Sequence, residues 1–301
     1  MTKVGFIGTG NMGLPMMRNV VAKGFAVTAY DTHGPALDAA VKAGAARGAS
    51  PAQIARDCEI VITILPSAAN VEACYLGPDG ILEGAASKTL CIDMSTIDPG
   101  TAQRVADRLG EKQVRYIDAP VSGGTVKAAD GTLAIMVGGP ASDFESARPV
   151  LATMGTNLIH VGPAGAGAVA KLCNNLIAGV NMVAVSEAFR IGEAFGVDPK
   201  VLTQVIANSS GGTWVMQHAH PVPGIVPTAA SSRDYAPGFM VDLMTKDLGL
   251  AVNAAREGRV AVSVAGAALQ VFRMASAHGL GRKDSTSVYQ FLKPAPKDAP
   301  V

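Results

Sequence analysis

Lys171 and Asn175 stand four residues apart in the run Gly165-Ala166-Gly167-Ala168-Val169-Ala170-Lys171-Leu172-Cys173-Asn174-Asn175. On a helix that spacing puts both side chains on one face, with Asn174 flanking it. A lysine can give or take a proton, and an amide one turn away can orient an oxygen. Projecting together into a cleft between domains, the pair suits a substrate carrying a hydroxyl or carbonyl group. Periodicity taken alone favours a plainer reading, a solvated surface lysine, which is the usual state of that residue.

A second run that could do chemistry opens the chain. Lys3-Val4-Gly5-Phe6-Ile7 reads as a short buried strand, and Gly8-Thr9-Gly10-Asn11-Met12-Gly13 follows at once. A helical pattern starts from that turn. Ala26-Val27-Thr28-Ala29-Tyr30 then reads as a second strand, ending at Asp31. A bare G-x-G-x-x-G would be weak, but strand, turn, helix, strand and acid in this order are the context a dinucleotide site requires. Gly8 permits the tight turn, Gly10 lets the backbone approach a pyrophosphate, and Gly13 lets the helix pack close on the sheet. Asn11 and Met12 complete the turn, and the helix N-terminus offers free N–H donors to phosphate. Asp31 can accept hydrogen bonds from the ribose hydroxyls and would repel a 2′-phosphate. Thr32 and His33 supply no arginine to offset that, so NAD is expected over NADP. The lesser reading of Asp31 is a turn residue after a strand.

These residues need a scaffold, and the composition supplies one. A chain of 301 residues points to two domains, and with 49% apolar and 16% charged residues it can bury a large core. Net charge is +1, with no basic stripe or RNA motif, so nucleic acid is not an expected partner. The first strand begins by Lys3, which leaves no room for a signal or transit segment and points to the cytoplasm. The apolar helical stretch 176–189 is interrupted by Asn181, Ser186 and Glu187, which fits a buried helix and not a membrane span. Cys58, Cys74, Cys91 and Cys173 form no CxxC pair and read as reduced, mostly buried thiols. His218 and His220 have a spacing that could bind metal on a strand. Pro221 and Pro223 make the segment a loop, and no third ligand stands nearby, so no metal is expected.

Up to residue 162 strand and helix patterns alternate. Ile60-Val61-Ile62-Thr63-Ile64-Leu65, Leu90-Cys91-Ile92-Asp93, Tyr116-Ile117-Asp118, Leu133-Ala134-Ile135-Met136-Val137 and Leu158-Ile159-His160-Val161 read as strands. Helical patterns cover 101–109 and 142–154. The pattern predicts an α/β fold, a Rossmann-type doubly wound sheet over 1–162 with ligands at the carboxyl ends of its strands. From 165 to about 195 the sequence reads as one long helix, closed by Gly196 and Pro199. Helical segments follow without convincing strands. The second domain, 163–301, is therefore expected to be all-α, bridged to the first by the long helix. The proline- and lysine-rich tail, 293–301, is expected to fray.

The strand–turn opening, the run Asp118-Ala119-Pro120-Val121-Ser122-Gly123-Gly124, the lysine-bearing run at 165–175 and Lys246-Asp247-Leu248 occur in this order. Together they resemble the β-hydroxyacid dehydrogenase family over essentially the whole chain. Ser209-Ser210-Gly211-Gly212-Thr213-Trp214, then Pro221-Val222-Pro223-Gly224, Tyr235 and Gly238-Phe239 are most similar to its 3-hydroxyisobutyrate dehydrogenase branch. The resemblance implies a small hydroxy-acid substrate and NAD as hydride acceptor: oxidation of 3-hydroxyisobutyrate to methylmalonate semialdehyde, a step of valine breakdown. It implies Lys171 as general acid/base and Asn175 as the group that positions the substrate oxygen. It places Ser122, Gly123 and Gly124 on the substrate carboxylate, and Trp214 and Phe239 as walls of the substrate site. Leu65, Pro66, Asn70 and Thr96 line the cofactor, and Lys246 reaches its nicotinamide end.

A Ser-Gly-Gly turn can present converging N–H groups to an anion, although an ordinary loop reads the same way. Core packing suits both aromatics nearly as well. A free lysine, with a pKa of ~10.4, is seldom neutral at pH 7, so a base at Lys171 calls for a depressed value. The chain departs from 6-phosphogluconate dehydrogenases in being shorter and in carrying Asn174 where those have histidine. Lys171 separates it from imine-reducing relatives. The alternatives are a sibling reductase of tartronate, glyoxylic or succinic semialdehyde and, from a different class, a dinucleotide-binding protein without turnover. The apolar, small-residue-rich helical domain points to a homodimer or homotetramer.

Overall fold

The computed structural model describes residues 2–293. Met1 and the tail from 294 on, which holds nearly all of the segment expected to fray, lie outside the described residues. Among the described residues nine strands are formed: β1 (Lys3–Ile7), β2 (Ala26–Tyr30), β3 (Ala46–Arg47), β4 (Ile60–Thr63), β5 (Leu90–Asp93), β6 (Arg115–Asp118), β7 (Val121–Ser122), β8 (Leu133–Gly138) and β9 (Gly155–Gly162). They make one sheet in the order β3-β2-β1-β4-β5-β6-β8-β7, with β9 on β8. Pairing is parallel from β3 through β6, and β8 meets β6 and β7 antiparallel. The chain runs outward from β1 to β3, then returns to start again at β4 beside β1. This reversal of strand order creates a topological switch point, where such sheets bind ligands.

Alternation along the strands explains the double winding. Val4, Phe6, Ile62, Leu90 and Ile92 feed the core on one face, with Met16, Met17 and Val20 of the helix Gly13–Ala22. Ile7, Val61 and Cys91 feed the core on the other, with Ile54, Tyr75 and Val105. A strand buried on both faces needs apolar residues at every position, which is why these strands read as continuous runs. β4 ends at Thr63, two residues before the end expected from sequence. Ile64 and Leu65 already belong to the turn beyond it, both only partly buried.

The long helix Ala166–Ala194 matches its expected extent, and Gly196 beyond it takes a left-handed φ of +73°. The chain divides into two compact units, Met1–Lys171 and Leu172–Val301, and the division falls within this helix. The second unit is helical: Pro199–Ala207, Trp214–His218, Val241–Glu257, Ser263–Ala275 and Val288–Phe291 follow the long helix, with short 3-10 turns. An isolated bridge, Met240 to Asp284, is its only β pairing among the described residues. The 29-residue helix is long and apolar enough to cross a membrane by length and composition. Its Met182, Val183, Val185 and Phe189, however, pack in the core of the second unit with Val241, Leu248 and Phe272. It is a core helix.

Candidate active site

The parallel register sets Tyr30, Ile7, Thr63, Asp93 and Asp118 side by side at the carboxyl ends of β2, β1, β4, β5 and β6. Each of the expected cofactor segments in the first unit leaves from this edge. Gly8 has φ +95°, and a Cβ there would sit 2.2 Å from the Ile64 carbonyl oxygen, so the turn demands glycine. A Cβ on Gly13 would sit 1.9 Å from the Gly8 oxygen. Gly10 differs from both: a Cβ there would meet nothing within 4 Å. The protein's own packing does not require that glycine, and the space above it suits a ligand reaching the backbone. Asp31 spans the turn. Its Oδ2 accepts from the Thr9 N–H at 2.7 Å and the Thr9 hydroxyl at 3.3 Å, and its Oδ1 accepts from the His33 N–H at 2.8 Å. Asp31 is therefore both a turn residue and a fixed carboxylate with lone pairs to spare. Asn11 is exposed and Met12 half-buried at the mouth of the helix. Open backbone at Gly10, a helix start and an oriented carboxylate together fit a dinucleotide.

Beyond β4 the Leu65 N–H donates to Ser95 Oγ at 2.8 Å, which joins the turn carrying Leu65 and Pro66 to the turn carrying Thr96. Pro66 and Asn70 are exposed. Ser67 caps the helix Ala68–Leu76 by accepting from the Asn70 N–H at 3.2 Å. Ser122 ends β7 and is followed by two glycines with positive φ, Gly123 at +140° and Gly124 at +70°. A Cβ on Gly123 would meet Lys127 at 2.7 Å, so this sharp turn into the helix Gly124–Asp130 is specific to glycine.

Lys171 is 7% exposed, which rules out the solvated surface lysine. The long helix that carries it is anchored by Asp118, a residue that spacing did not single out. Asp118 Oδ1 accepts from the Gly165 N–H at 2.7 Å and Oδ2 from the Ala168 N–H at 2.8 Å. One buried carboxylate thus satisfies two of the helix's orphan donors and fixes its start on the sheet edge. Lys171 follows Ala168 by three residues. Burial raises the Asp118 pKa against the lowering effect of these donors.

Asn175 is 5% exposed. Its Nδ2 donates to Asp247 Oδ2 at 2.5 Å, and its Oδ1 accepts from Asn174 Nδ2 at 3.0 Å. Lys246 Nζ lies 3.1 Å from Asp247 Oδ1. The two adjacent residues of the Lys246-Asp247-Leu248 motif therefore divide the work, with Asp247 linking Lys246 to Asn175. Phe239 packs against the core of the second unit, and its N–H donates to Asp284 Oδ2 at 2.9 Å. Trp214 does not join a core. It is 64% exposed and stacks on His218 with ring centroids 5.0 Å apart.

His218 is the last residue of a short helix, where a loop was expected, and its ring lies against the Trp214 carbonyl. The buried His220 instead accepts from the Val222 N–H and faces the Thr203 hydroxyl. Burial pushes its pKa down to about 4. Among the described residues no group of three or more His, Cys, Asp or Glu is placed to hold a metal. All four cysteines are free thiols. Cys58 and Cys91 are buried, Cys74 partly so, and Cys173 is exposed.

Sequence reasoning passed over Asp93, Ser95, Asp118, Asp247 and Asp284. For the first and third the signal was present: a carboxylate closing an otherwise apolar strand is buried at an edge where it must have partners.

Comparison with known proteins agrees with this geometry. Residues 3–162 match the NAD binding domain of 6-phosphogluconate dehydrogenase, and residues 165–292 match the family described as NAD-binding of NADP-dependent 3-hydroxyisobutyrate dehydrogenase. The chain is 44% identical to a 3-hydroxyisobutyrate dehydrogenase of Pseudomonas aeruginosa, over 91% of this chain and 92% of that one. It is 40% identical to an NAD-dependent L-serine dehydrogenase of the same species, over 98% and 99%. A solved structure of Mycobacterium tuberculosis 3-hydroxyisobutyrate dehydrogenase with L-serine superposes with a TM-score of 0.93 at 38% identity, covering 98% of this chain and 100% of that one. The chain belongs to the β-hydroxyacid dehydrogenase family, as an NAD-dependent hydroxyacid dehydrogenase.

Proposed function

We propose that this chain oxidises 3-hydroxyisobutyrate to methylmalonate semialdehyde with NAD, as in valine breakdown. The observation that carries the reading is a buried lysine and a buried amide, Lys171 and Asn175, one turn apart on a single helix. Lys171 takes the hydroxyl proton in oxidation and returns it to the carbonyl in reduction. Asn175 holds the reacting oxygen, its own orientation set by Asp247 and Asn174. Ser122 and the Gly123–Gly124 backbone hold the carboxylate by N–H and O–H donors. NAD, when bound, accepts the hydride at its nicotinamide ring. The glycine turn holds its pyrophosphate, Asp31 its adenosine ribose, and Leu65, Pro66, Asn70 and Thr96 line it, with Lys246 at the nicotinamide end. Phe239 and Trp214 wall the substrate. A small acid offers few contacts, so orientation by a few fixed polar groups must supply much of the rate.

L-Serine is a second reading, supported by the L-serine dehydrogenase relative and by the L-serine in the similar solved structure. The two acids share the same hydroxymethyl and carboxylate and differ by a methyl or an ammonium on the carbon between. The deciding experiment follows NADH formation with (S)-3-hydroxyisobutyrate, L-serine, glycerate and 4-hydroxybutyrate, with NADP in a parallel set. The highest kcat/KM on hydroxyisobutyrate with NAD is expected. A higher value on serine moves the assignment to an amino-acid dehydrogenase, and turnover only of glycerate or 4-hydroxybutyrate moves it to a sibling branch. We also assign the chain to the cytoplasm and to a homodimer or homotetramer. Ile191, Phe195, Val201 and Val205 of the helical unit expose apolar surface suited to self-association, which sedimentation velocity tests.

A further inference from the structure

The carboxyl edge of the sheet holds a hydrogen-bond network that the catalytic roles above do not use. It converges on a single atom, Asp93 Oδ1. Thr63 Oγ1 donates to it at 2.8 Å, Ser95 Oγ at 2.6 Å and the Ser95 N–H at 3.2 Å. Behind these donors stand two more. With its proton on Asp93, Thr63 Oγ1 accepts from the Tyr75 hydroxyl at 3.0 Å. Ser95 Oγ, with its proton also on Asp93, accepts the Leu65 N–H at 2.8 Å. Three donors end on one carboxylate oxygen and two more end on the hydroxyls that serve it, so the direction of each bond is fixed. Asp93, Thr63 and Ser95 are all buried. No water competes for these bonds, and a donor that loses its acceptor here has no replacement.

The network also bridges two chain segments that local structure leaves independent. Leu65 belongs to the turn after β4, and Ser95 and Thr96 to the turn after β5. Strand pairing ends at Thr63 and Asp93, with one further bond from the Met94 N–H to the Thr63 carbonyl. Beyond that point the Leu65 N–H bond to the Ser95 hydroxyl joins the two turns.

We propose that Asp93 is a positioning residue for the cofactor: acting through Ser95, it fixes the turns bearing Leu65 and Thr96 in the shape that receives the dinucleotide. Asp93 itself touches no ligand in this assignment, which rests on the NAD site described above. A carboxylate buried at a strand end, accepting from Thr63 at the end of β4 and from Ser95, which in turn holds Leu65, sets their separation more tightly than backbone pairing alone.

The test compares wild type, Ser95→Ala, Ser95→Thr, Asp93→Ala and Asp93→Asn, with NAD affinity measured by quenching of Trp214 fluorescence or by calorimetry. KM for NAD, kcat at saturating NAD and Tm are measured alongside. Ser95→Ala leaves the Leu65 N–H without its acceptor and is expected to raise KM for NAD about tenfold, with kcat falling less than about threefold. Ser95→Thr keeps the hydroxyl and is expected to restore most of the loss. Asp93→Ala removes the acceptor of Thr63 and Ser95 and is expected to raise KM for NAD at least as much as Ser95→Ala, whereas Asp93→Asn keeps an oxygen acceptor and is expected to stay within about threefold of wild type. Unchanged NAD affinity in both Ser95→Ala and Asp93→Ala would overturn the proposal, as would a loss of Tm with no split between KM and kcat. If wild type itself binds no NAD, the cofactor reading fails first and this assignment with it.

Discussion

Asn175 gives its amide N–H to Asp247 Oδ2 at 2.5 Å, and both side chains are buried. A hydrogen bond to a carboxylate in a buried site is worth ~1.5–3 kcal/mol. Asp247→Ala is therefore expected to lower kcat by about 10–100-fold as Asn175 loses its orientation. Asp247→Asn keeps an oxygen acceptor and is expected to lose much less. Steady-state kinetics on both variants, with Tm as control, check this. A fall in Tm with kcat per folded molecule unchanged would reduce Asp247 to a packing role.

Lys171 is buried on a helix whose first turn is pinned by Asp118. Removing a general acid/base typically costs ~10²–10⁴ in rate. Lys171→Ala is expected to lose activity in that range while NAD affinity stays within about threefold, since none of the proposed cofactor contacts is removed. Lys171→Arg is not expected to rescue, because a guanidinium does not give up its proton near neutrality. Full turnover in Lys171→Ala with intact NAD binding sinks the assignment.

How much of this was legible in the sequence depends on the range of the forces. The sheet and the long helix were readable because their signals are local, apolar runs and a helix period with Gly196 as its stop. The glycine turn was readable because Gly8 and Gly13 each answer a steric demand and Gly10 leaves the backbone open. Spacing could not decide whether Lys171 was solvated, because burial depends on what packs against a helix and not on its own period. Nor could it pair Asn175 with Asp247, which lie 72 residues apart. Trp214 departs from the plainer of its two readings, core packing: it is exposed and stacks on His218.

Asp31 carries the cofactor choice and also closes the turn, with Thr9 and His33 N–H donors on its two oxygens. The two roles can be separated by substitution. Asp31→Asn keeps one oxygen for the turn and removes the charge that opposes a 2′-phosphate. Juxtaposed like charges cost several kcal/mol, so the ratio of kcat/KM for NAD over NADP is expected to fall by at least about tenfold. Asp31→Ala removes the turn acceptors as well and is expected to weaken both cofactors. Parallel kinetics with NAD and NADP check this, and an unchanged ratio in Asp31→Asn would remove Asp31 from cofactor selection.

Asp93 makes the protein's stability depend on pH with an unusual sign. Burial, outweighing the donors from Ser95 and Thr63, raises its pKa from 3.8 to about 6. Between those values the folded protein keeps a proton that the unfolded chain has released. Stability therefore falls as pH rises through that window, and above it the full cost of holding the ion, about 3 kcal/mol, is present. The neighbours do not blur the effect. Cys74 and Tyr75 on the helix Ala68–Leu76, Cys91 on β5 and Tyr116 on β6 are all pushed upward and stay neutral here. Asp118 is also raised, but it is present in both proteins of the comparison. Asp93→Asn keeps an oxygen for Thr63 and Ser95 and removes the titrating charge that faces Tyr116. The variant is expected to melt several degrees above wild type at pH 7.5, with the gap closing toward pH 4. Thermal melts of both proteins across that range check it. A gap that stays constant with pH would mean that Asp93 does not titrate in this window.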